Sequence, residues 1–489
     1  MTIDRVINKF QKNHPGIDAS VLTQVFEFAD MAHAGQKRKN GEPYIQHPLH
    51  TAYMLAEIKA DLPTVMAGLL HDVPEDTSRT LAEIEKKFGA EVATLVEGVT
   101  KLGKIKYRGI ERYRENLKKM FLAMASDLRI IFIKFCDRLN NLRTIESLPP
   151  EKQKRIAKET LEIYAPIAGL LGISLLKWQM EDICFKILYP EEFQDLEYKY
   201  EVEKKVERNR FFQKVKGILT PKLEEAGLKY DIEIRFKHLY SIYQKMQEKD
   251  RKFNEIYDVF ALRVIVPTID DCYKTLGIIH ILWRPKQNRF KDYIAVPKPN
   301  GYRSLHTTIF GPEGKATEFQ IRTREMHEES IYGLAAHWYY KNNKGAPTYK
   351  TPKWVEEILE VQKEVANTDE FIKKIKLDIF HDRIFVFSPQ GDVFELPEGA
   401  TPIDFAYAVH TNIGDKASGV IINDKIGKLD QELKNGDFVK IIIEKKRAQP
   451  NRDWLKFVKT KHARDRIRQH SKKSALENIK RFIPGINKE

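Results

Sequence analysis

Residues 47–77 read HPLHTAYMLAEIKADLPTVMAGLLHDVPEDT. Apolar residues recur at helical spacing in HPLHTAYMLAEI and again in LPTVMAGLLHDV, so two amphipathic helices are expected. Pro74 lacks an amide proton and biases Val73 away from the α region, which places His71-Asp72 near a helix end. Adjacent His and Asp offer two kinds of ligand within one turn. A neutral imidazole and a carboxylate together suit divalent ions such as Mn²⁺. His47, from the first helix, and Asp137, from a later one, could complete a site inside a helical bundle. A metal held there lowers the pKa of bound water and shields phosphate charge, the chemistry of a phosphohydrolase. Glu75 and Asp76 could orient the attacking water or take its proton. Arg38, Lys39, Lys134, Arg138 and Arg143 stand around these elements as candidate phosphate ligands. Taken singly, each histidine is more often a buried structural residue and each cation a solvated one. The combination His…His-Asp…Asp on helices is what points to a metal.

Outward from this stretch the helical period continues through residues 1–190, in VLTQVFEFADMAHA, NLKKMFLAMA and LEIYAPIAGLLGISLLKWQMEDICFKIL. Residues 191–228 are charged and helix-prone and read as a connector. The pattern then changes: IEIRF and TEFQIRT alternate, DVFALRVIV is β-branched and apolar, and SIYQKMQEKD and CYKTLGIIHILW are helical. A domain of mixed strands and helices is expected over 229–341. KNNKGAPTYKTPK opens a linker with a helix behind it, 342–379. Short strands with turns make a small β-rich module over 380–444, and a basic tail fills 445–489. At roughly 150 residues per domain, 489 residues suit two to four domains.

Charge is unevenly placed. The net charge is +14, yet residues 445–481 alone hold 14 Lys/Arg against 3 Asp/Glu, leaving the body near neutral. That argues against a main surface built as a nucleic-acid groove, and for a tail that can touch RNA or another acidic partner. No apolar run reaches the roughly 20 residues of a membrane span, and MTIDRVINKFQKNHPG is no signal peptide. Cys136, Cys184 and Cys272 are scattered through apolar segments, which excludes a disulfide framework and points to a reducing cytoplasm.

A second constellation lies in 229–341. Arg235 and Lys237 are expected on one face of a strand, with Ser241 and Lys245 on one face of the next helix, a setting for a triphosphate. No GxxxxGK[ST] occurs, so a P-loop enzyme is excluded. Asp258 opens the strand DVFALRVIV, and Arg263 follows on it. Glu318, Gln320 and Arg322 alternate with Phe319 and Ile321 on what reads as a half-buried strand. Two carboxylates facing a basic surface suit a Mg²⁺-nucleotide site. Lys291, Lys298, Tyr302 and His306 combine cations with a ring on which a purine could stack.

In this order the two constellations resemble the long RelA/SpoT homologues, which make and degrade guanosine tetra- and pentaphosphate. The resemblance rests on RKNGEPYIQHP, HDVPEDT, GVTKLGK, DRLNNLRT, EIYAPIA, RFKHLYSIYQKM, LWRPKQNRFKDYI, PKPNGYRSLHTT, EFQIRT and AAHW. GDVFELPEGATPIDFAYAVHTNIG resembles the TGS module of the same family. The resemblance implies a multidomain chain: an all-α HD-type hydrolase, an α+β nucleotidyltransferase-like synthetase and a β-grasp-like TGS domain. It implies Mn²⁺ on His47, His71, Asp72 and Asp137, catalysis by Glu75 and Asp76, and substrate on Arg38, Lys134 and Asn141. For the synthetase it implies transfer of pyrophosphate from ATP to the 3′-hydroxyl of GDP or GTP. Asp258 would bind Mg²⁺ and Glu318 would serve as metal ligand or base. Arg235, Arg263, Lys237, Ser241 and Lys245 would meet ATP, and Tyr302 would stack on guanine. Lys291, Lys298, Asn300, His306 and Gln320 would complete the contacts. The intact HDVPEDT and the basic RFKD at 289–292 go with bifunctional members. The departures are Pro74, Asn140 for a usual His, Gly169-Leu170 and Arg303, together with an end at 489 where relatives continue into regulatory domains. Alternatives are a hydrolase-dominant enzyme and a ribosome- or tRNA-binding regulator with vestigial catalysis.

Overall fold

A computed structural model describes residues 1–103, 120, 123, 126–203, 205–235, 237–249, 261–287, 289–298, 300–333, 383–390, 392–434, 436–444, 447, 449–460 and 462–470. The chain divides into two compact units, Met1–Leu359 and Glu360–Glu489. Asp258, the AAHW segment, the linker helix and the last part of the basic tail lie outside the described residues.

The first unit begins with helices α1 (Ile3–Asn13), α2 (Val21–Ala32), α3 (Gln46–Glu57) and α4 (Leu62–Leu70). The short turn α5 (Val73–Asp76), α6 (Leu81–Phe88) and α7 (Ala90–Gly103) follow. Asp61 caps α4 by accepting from the Thr64 amide at 3.1 Å. The helix stops at Leu70, and Pro74 sits in the first turn of α5, where its missing N–H costs nothing. α8 (Leu128–Arg143) runs through the bundle against α3 and α4, and its Ile131, Phe132, Phe135 and Leu139 are buried. Arg129, in its first turn, is held by Asp127, Asp61 and Glu91 at 2.7, 2.9 and 2.6 Å. α9 (Pro150–Glu159), a π-helical turn, α10 (Ala165–Leu170) and α11 (Ser174–Leu188) complete this part.

α12 (Pro190–Glu197) leads into α13 (Lys205–Glu225). α13 does more than connect: Phe211, Val215, Leu219 and Leu223 pack on the sheet that follows. That sheet has the order β1-β2-β5-β4-β3, from β1 (Asp231–Ile234), β2 (Ala261–Val266), β3 (Lys291–Asp292), β4 (Leu305–Phe310) and β5 (Ala316–Thr323). The β2–β5 pair is parallel and the others are antiparallel. Helices α14 (Leu239–Lys249), α15 (Ile269–Leu282) and α16 (Arg324–Tyr332) lie between or after the strands. One face of the sheet, with Leu262, Val264, Leu305, Phe319 and Ile321, meets α13 and α15. The opposite face carries Arg263, Gln320 and His306 in register across three strands. β5 was expected to be half-buried, but as a central strand it is covered on both faces, and Gln320 and Arg322 are each 2% exposed. β1 ends at Ile234, so Lys237 lies past the strand, with its amide donating to the Tyr200 hydroxyl at 2.8 Å.

In the second unit, β6 (Arg383–Phe387) pairs with β7 (Val393–Pro397). α17 (Pro402–Val409) and α18 (Thr411–Lys416) precede β8 (Ala417–Ile422), β9 (Lys425–Gly427) and β10 (Val439–Ile443), ordered β10-β8-β9. Part of the basic tail is an element of this fold: Trp454, Val458, Ala463 and Ile467 pack on Ile403, Ala406 and Tyr407. Buried Asp404 accepts from the amides of Lys459 and Thr460 at 2.9 and 2.7 Å.

Two packing features of the first unit carry predictions. Gly333 has φ +57°, and a Cβ there would lie 2.2 Å from the Leu171 carbonyl oxygen. Gly333→Ala is expected to lower stability by at least about 2 kcal/mol in urea unfolding. Gly217→Ala, in the open interior of α13, should raise it by about 0.5–1 kcal/mol. His238 stacks on Trp178 with ring centroids 4.4 Å apart. Burial, with the charges of Arg235, Lys177 and Arg263, drops its pKa to about 4. A histidine depressed in this way contributes stability that is complete above pH 6.5 and lost as pH falls from 6.5 toward 4. The urea midpoint of His238→Gln should therefore fall less than wild type over that window.

Candidate functional site

The first site lies where α3, α4 and α8 meet. His47 is in the first turn of α3, His71 and Asp72 follow the end of α4, and Asp137 is in the middle of α8. One ligand atom each from His47, His71 and Asp137 lies within 4.8 Å of the others, and all three residues are buried. Asp72 sits between the rings, with Oδ2 3.3 Å from His47 Nε2 and Oδ1 3.2 Å from His71 Nε2. Asp137 Oδ1 is 3.3 Å from His47 Nε2.

The donor set fits a divalent cation. His71 Nδ1 lies 2.9 Å from the Gly68 carbonyl oxygen, which can only accept, so the ring proton is on Nδ1. In the neutral ring Nε2 then carries the lone pair, and it is buried with no hydrogen-bond partner among the described residues. Burial opposes ionisation of Asp137, but Lys134, 2.7 Å away, and His47 hold its carboxyl well below the usual range. Asp72 is likewise held down by His71 and His47 against its burial. Two carboxylates remain charged in a buried site beside two imidazoles, the composition that borderline and hard divalent ions bind.

A cavity of about 470 Å³ opens beside this cluster, lined by Lys37, Arg38, Lys39, Lys134, Asn141 and Lys152 among others. Arg38 donates to Asn141 Oδ1 at 2.5 Å, and Asn141 in turn donates to Asp137 Oδ1 at 2.5 Å. Arg138 lines the cavity while donating to the Tyr164 hydroxyl at 2.7 Å. Arg143 turns the other way, toward Gln179 and Met54. Glu75 and Asp76 are both exposed at the turn α5, and Asp76 Oδ2 accepts from the Tyr44 hydroxyl at 2.6 Å. Tyr44 also lies 3.0 Å from Asp72 Oδ2. Burial, then the charge of Asp72, raises the phenol pKa, so it stays a donor between the two carboxylates. Tyr44 was not among the expected site residues. Its motif contained it, but a tyrosine there reads as packing until its hydroxyl is placed.

The second site lies on the polar face of the sheet. A cavity of about 370 Å³ is lined by Arg235, Ser241, Arg263, Asn300, Tyr302 and Gln320. Lys177 and Trp178 of α11 close another side, residues that no local pattern in 229–341 could reveal. Arg322 completes it, bonded to Ser330 Oγ and to His327 Nδ1 at 2.5 and 3.0 Å. Glu318, His306 and Tyr302 form a chain. The Tyr302 hydroxyl donates to His306 Nε2 at 2.7 Å, and His306 Nδ1 lies 3.1 Å from Glu318 Oε1. Burial keeps His306 neutral by lowering its pKa. Burial also opposes ionisation of Glu318, yet the His306 bond and the Arg235 charge hold it down at about 2. Lys298 and Lys291 lie over the Tyr293 ring at 5.1 and 5.9 Å. Lys237 is buried beneath this region and Lys245 is half-buried on α14, neither of them lining the cavity.

Three regions match known families: residues 25–174 the HD domain, 234–345 the region found in RelA/SpoT proteins, and 384–443 the TGS domain. The chain is 44% identical over 481 residues to a guanosine-3′,5′-bis(diphosphate) 3′-pyrophosphohydrolase of Aquifex aeolicus, covering 98% of this chain and 68% of that one. It is 46% identical over 466 residues to the bifunctional (p)ppGpp synthase/hydrolase SpoT of Escherichia coli, covering 94% and 65%. It is 45% identical over 470 residues to a GTP pyrophosphokinase of Myxococcus xanthus, covering 95% and 62%. The chain thus spans about three-fifths to two-thirds of the length of these curated relatives. Matching domains in the same order, with 44% identity across nearly the whole chain, show that it belongs to the RelA/SpoT family.

Proposed function

We propose that this chain both degrades and makes guanosine alarmones, at two separate sites of its first unit. The observation that carries the reading is the chemical difference between the sites: histidine and carboxylate ligands beside one cationic cavity, and arginines with an ionised glutamate beside the other.

In the helical site, His47, His71, Asp72 and Asp137 would hold Mn²⁺. Bound there, such an ion supplies an acidified water and neutralises phosphate charge. Arg38, Lys134 and Asn141 would orient the 3′-diphosphate of (p)ppGpp in the cavity. Asp76, positioned by Tyr44, and Glu75 would orient the water and carry its proton away. The products are GDP or GTP and pyrophosphate.

In the sheet site, Arg235 and Arg263 would lie on ATP, with Lys237, Ser241 and Lys245 toward its phosphates. Asp258 and Glu318 would hold Mg²⁺, which would supply charge neutralisation to the polyphosphate. A carboxylate kept at about 2 is a better cation ligand than a base, so Glu318 serves first as a ligand. Tyr302, fixed through His306, would present its ring to guanine. Lys291, Lys298, Asn300 and Gln320 would hold the GDP or GTP whose 3′-hydroxyl receives the β,γ-pyrophosphoryl group. The second unit, with its basic tail, would offer an RNA-facing surface to a ribosome or tRNA.

Asp72→Ala should lower hydrolysis of (p)ppGpp at least about 100-fold and leave synthesis from ATP and GDP unchanged, with Glu318→Gln giving the reverse. Both turnovers are measured in one preparation by nucleotide chromatography, with Mn²⁺ and Mg²⁺ present. A single substitution that abolishes both reactions would overturn the two-site reading.

A further inference from the structure

The two histidines of the helical site are fixed differently on the side away from the cluster. His71 Nδ1 faces the Gly68 carbonyl, an acceptor only, so in the neutral ring the Nε2 lone pair points inward. His47 Nδ1 faces a side chain instead: Asn140 Nδ2 lies 2.6 Å from it, and both residues are buried. Asn140 follows Asp137 by three residues on α8, so ligand and partner come from one turn of one helix.

A carboxamide has a donating and an accepting end of nearly equal size. With Nδ2 toward the ring, Nδ1 accepts and the ring proton sits on Nε2, between Asp72 and Asp137 at 3.3 Å each. That arrangement satisfies the cluster without a cation. A cation needs the Nε2 lone pair, which puts the ring proton on Nδ1, where an N–H at 2.6 Å would oppose it. A half-turn about the terminal amide torsion brings Oδ1 to the same place and converts that opposition into a hydrogen bond.

We propose that Asn140 is the positioning residue of His47. Its carboxamide oxygen accepts a hydrogen bond from Nδ1–H when a divalent cation is held, fixing the ring with its Nε2 lone pair toward the ion. The inference rests on the metal reading above. Groups that hold the far nitrogen of a ligating histidine commonly change metal affinity by about 10–100-fold when removed.

The test is Mn²⁺ affinity of the full chain, read from the paramagnetic resonance signal of free Mn²⁺, in wild type, Asn140→Leu, Asn140→Asp and His71→Ala. Asn140→Leu keeps the volume and removes the acceptor, so it should bind about 10–100-fold more weakly. Asn140→Asp can only accept, and should bind within about threefold of wild type or more tightly. Its melting temperature without metal should fall, and Mn²⁺ should raise it by more than in wild type, a response that a packing role would not give. Leu at wild-type affinity, or Asp falling together with Leu, overturns the proposal. Should Asn140→Leu fail to fold, Asn140→Asp decides alone, with a loss of tenfold or more counting against. Wild type showing no Mn²⁺ site that His71→Ala removes sinks the metal reading and this inference together. Binding that needs His71 but ignores position 140 sinks the inference alone.

Discussion

Asp137 is a carboxylate buried in the middle of a helix, and the helical half of the molecule is arranged to keep it charged. An isolated buried carboxylate would take up a proton or destabilise the fold. Lys134 answers its Oδ2 from one turn earlier, His47 faces its Oδ1 from α3, and Asn141 donates to that same Oδ1. These partners fix the rotation of α8 about its own axis. Arg129, bound to three acids at the start of the same helix, fixes its position along the axis. With α8 held in both senses, Asp137, Arg138, Asn140 and Asn141 all have defined directions, and the cationic cavity follows from them.

The sheet half meets a different constraint. Its polar face must hold Arg263, Gln320, Arg322, His306 and Glu318 close together under a cavity. The register solves this by pairing unlike groups: Arg263 beside Gln320 and Gln320 beside His306. The opposite face is mainly apolar, with Leu262, Val264, Leu305, Phe319 and Ile321, and is covered by α13 and α15. A one-residue slip of β5 would exchange these two faces, which is why a strand with such different alternate residues has only one workable register.

Much of this was legible in the sequence. The 3.6-residue period of 47–77 and the interruption at Pro74 placed His47, His71 and Asp72, because both signals are local. The alternation of Glu318–Arg322 gave the face of β5 for the same reason. What was not legible depended on distant partners. The apolar stripe Phe211, Val215, Leu219 and Leu223 has helical spacing, but the surrounding charges made 191–228 look like a solvated connector until the sheet supplied its contact. Arg235 and Lys237 alternate as a strand would, yet pairing with β2 ends with the Arg235 amide on the Ala261 carbonyl oxygen at 2.9 Å, and the chain then turns into α14. Lys177 and Trp178 belong by sequence to the helical half and by position to the other cavity. Asn140 differs from any buried amide only through the ring nitrogen that it faces.

The junction between the halves has a mechanical consequence. Gly172 and Gly333 meet with bare backbones, a Cβ on Gly172 coming within 3.1 Å of the Gly333 Cα, and Lys59 of one half bonds Glu328 of the other at 2.7 Å. Main chain resting on main chain has no rotamers to take up slack. The seam therefore behaves as a hard stop in compression, and relative movement there must proceed by parting or sliding along the glycine contact.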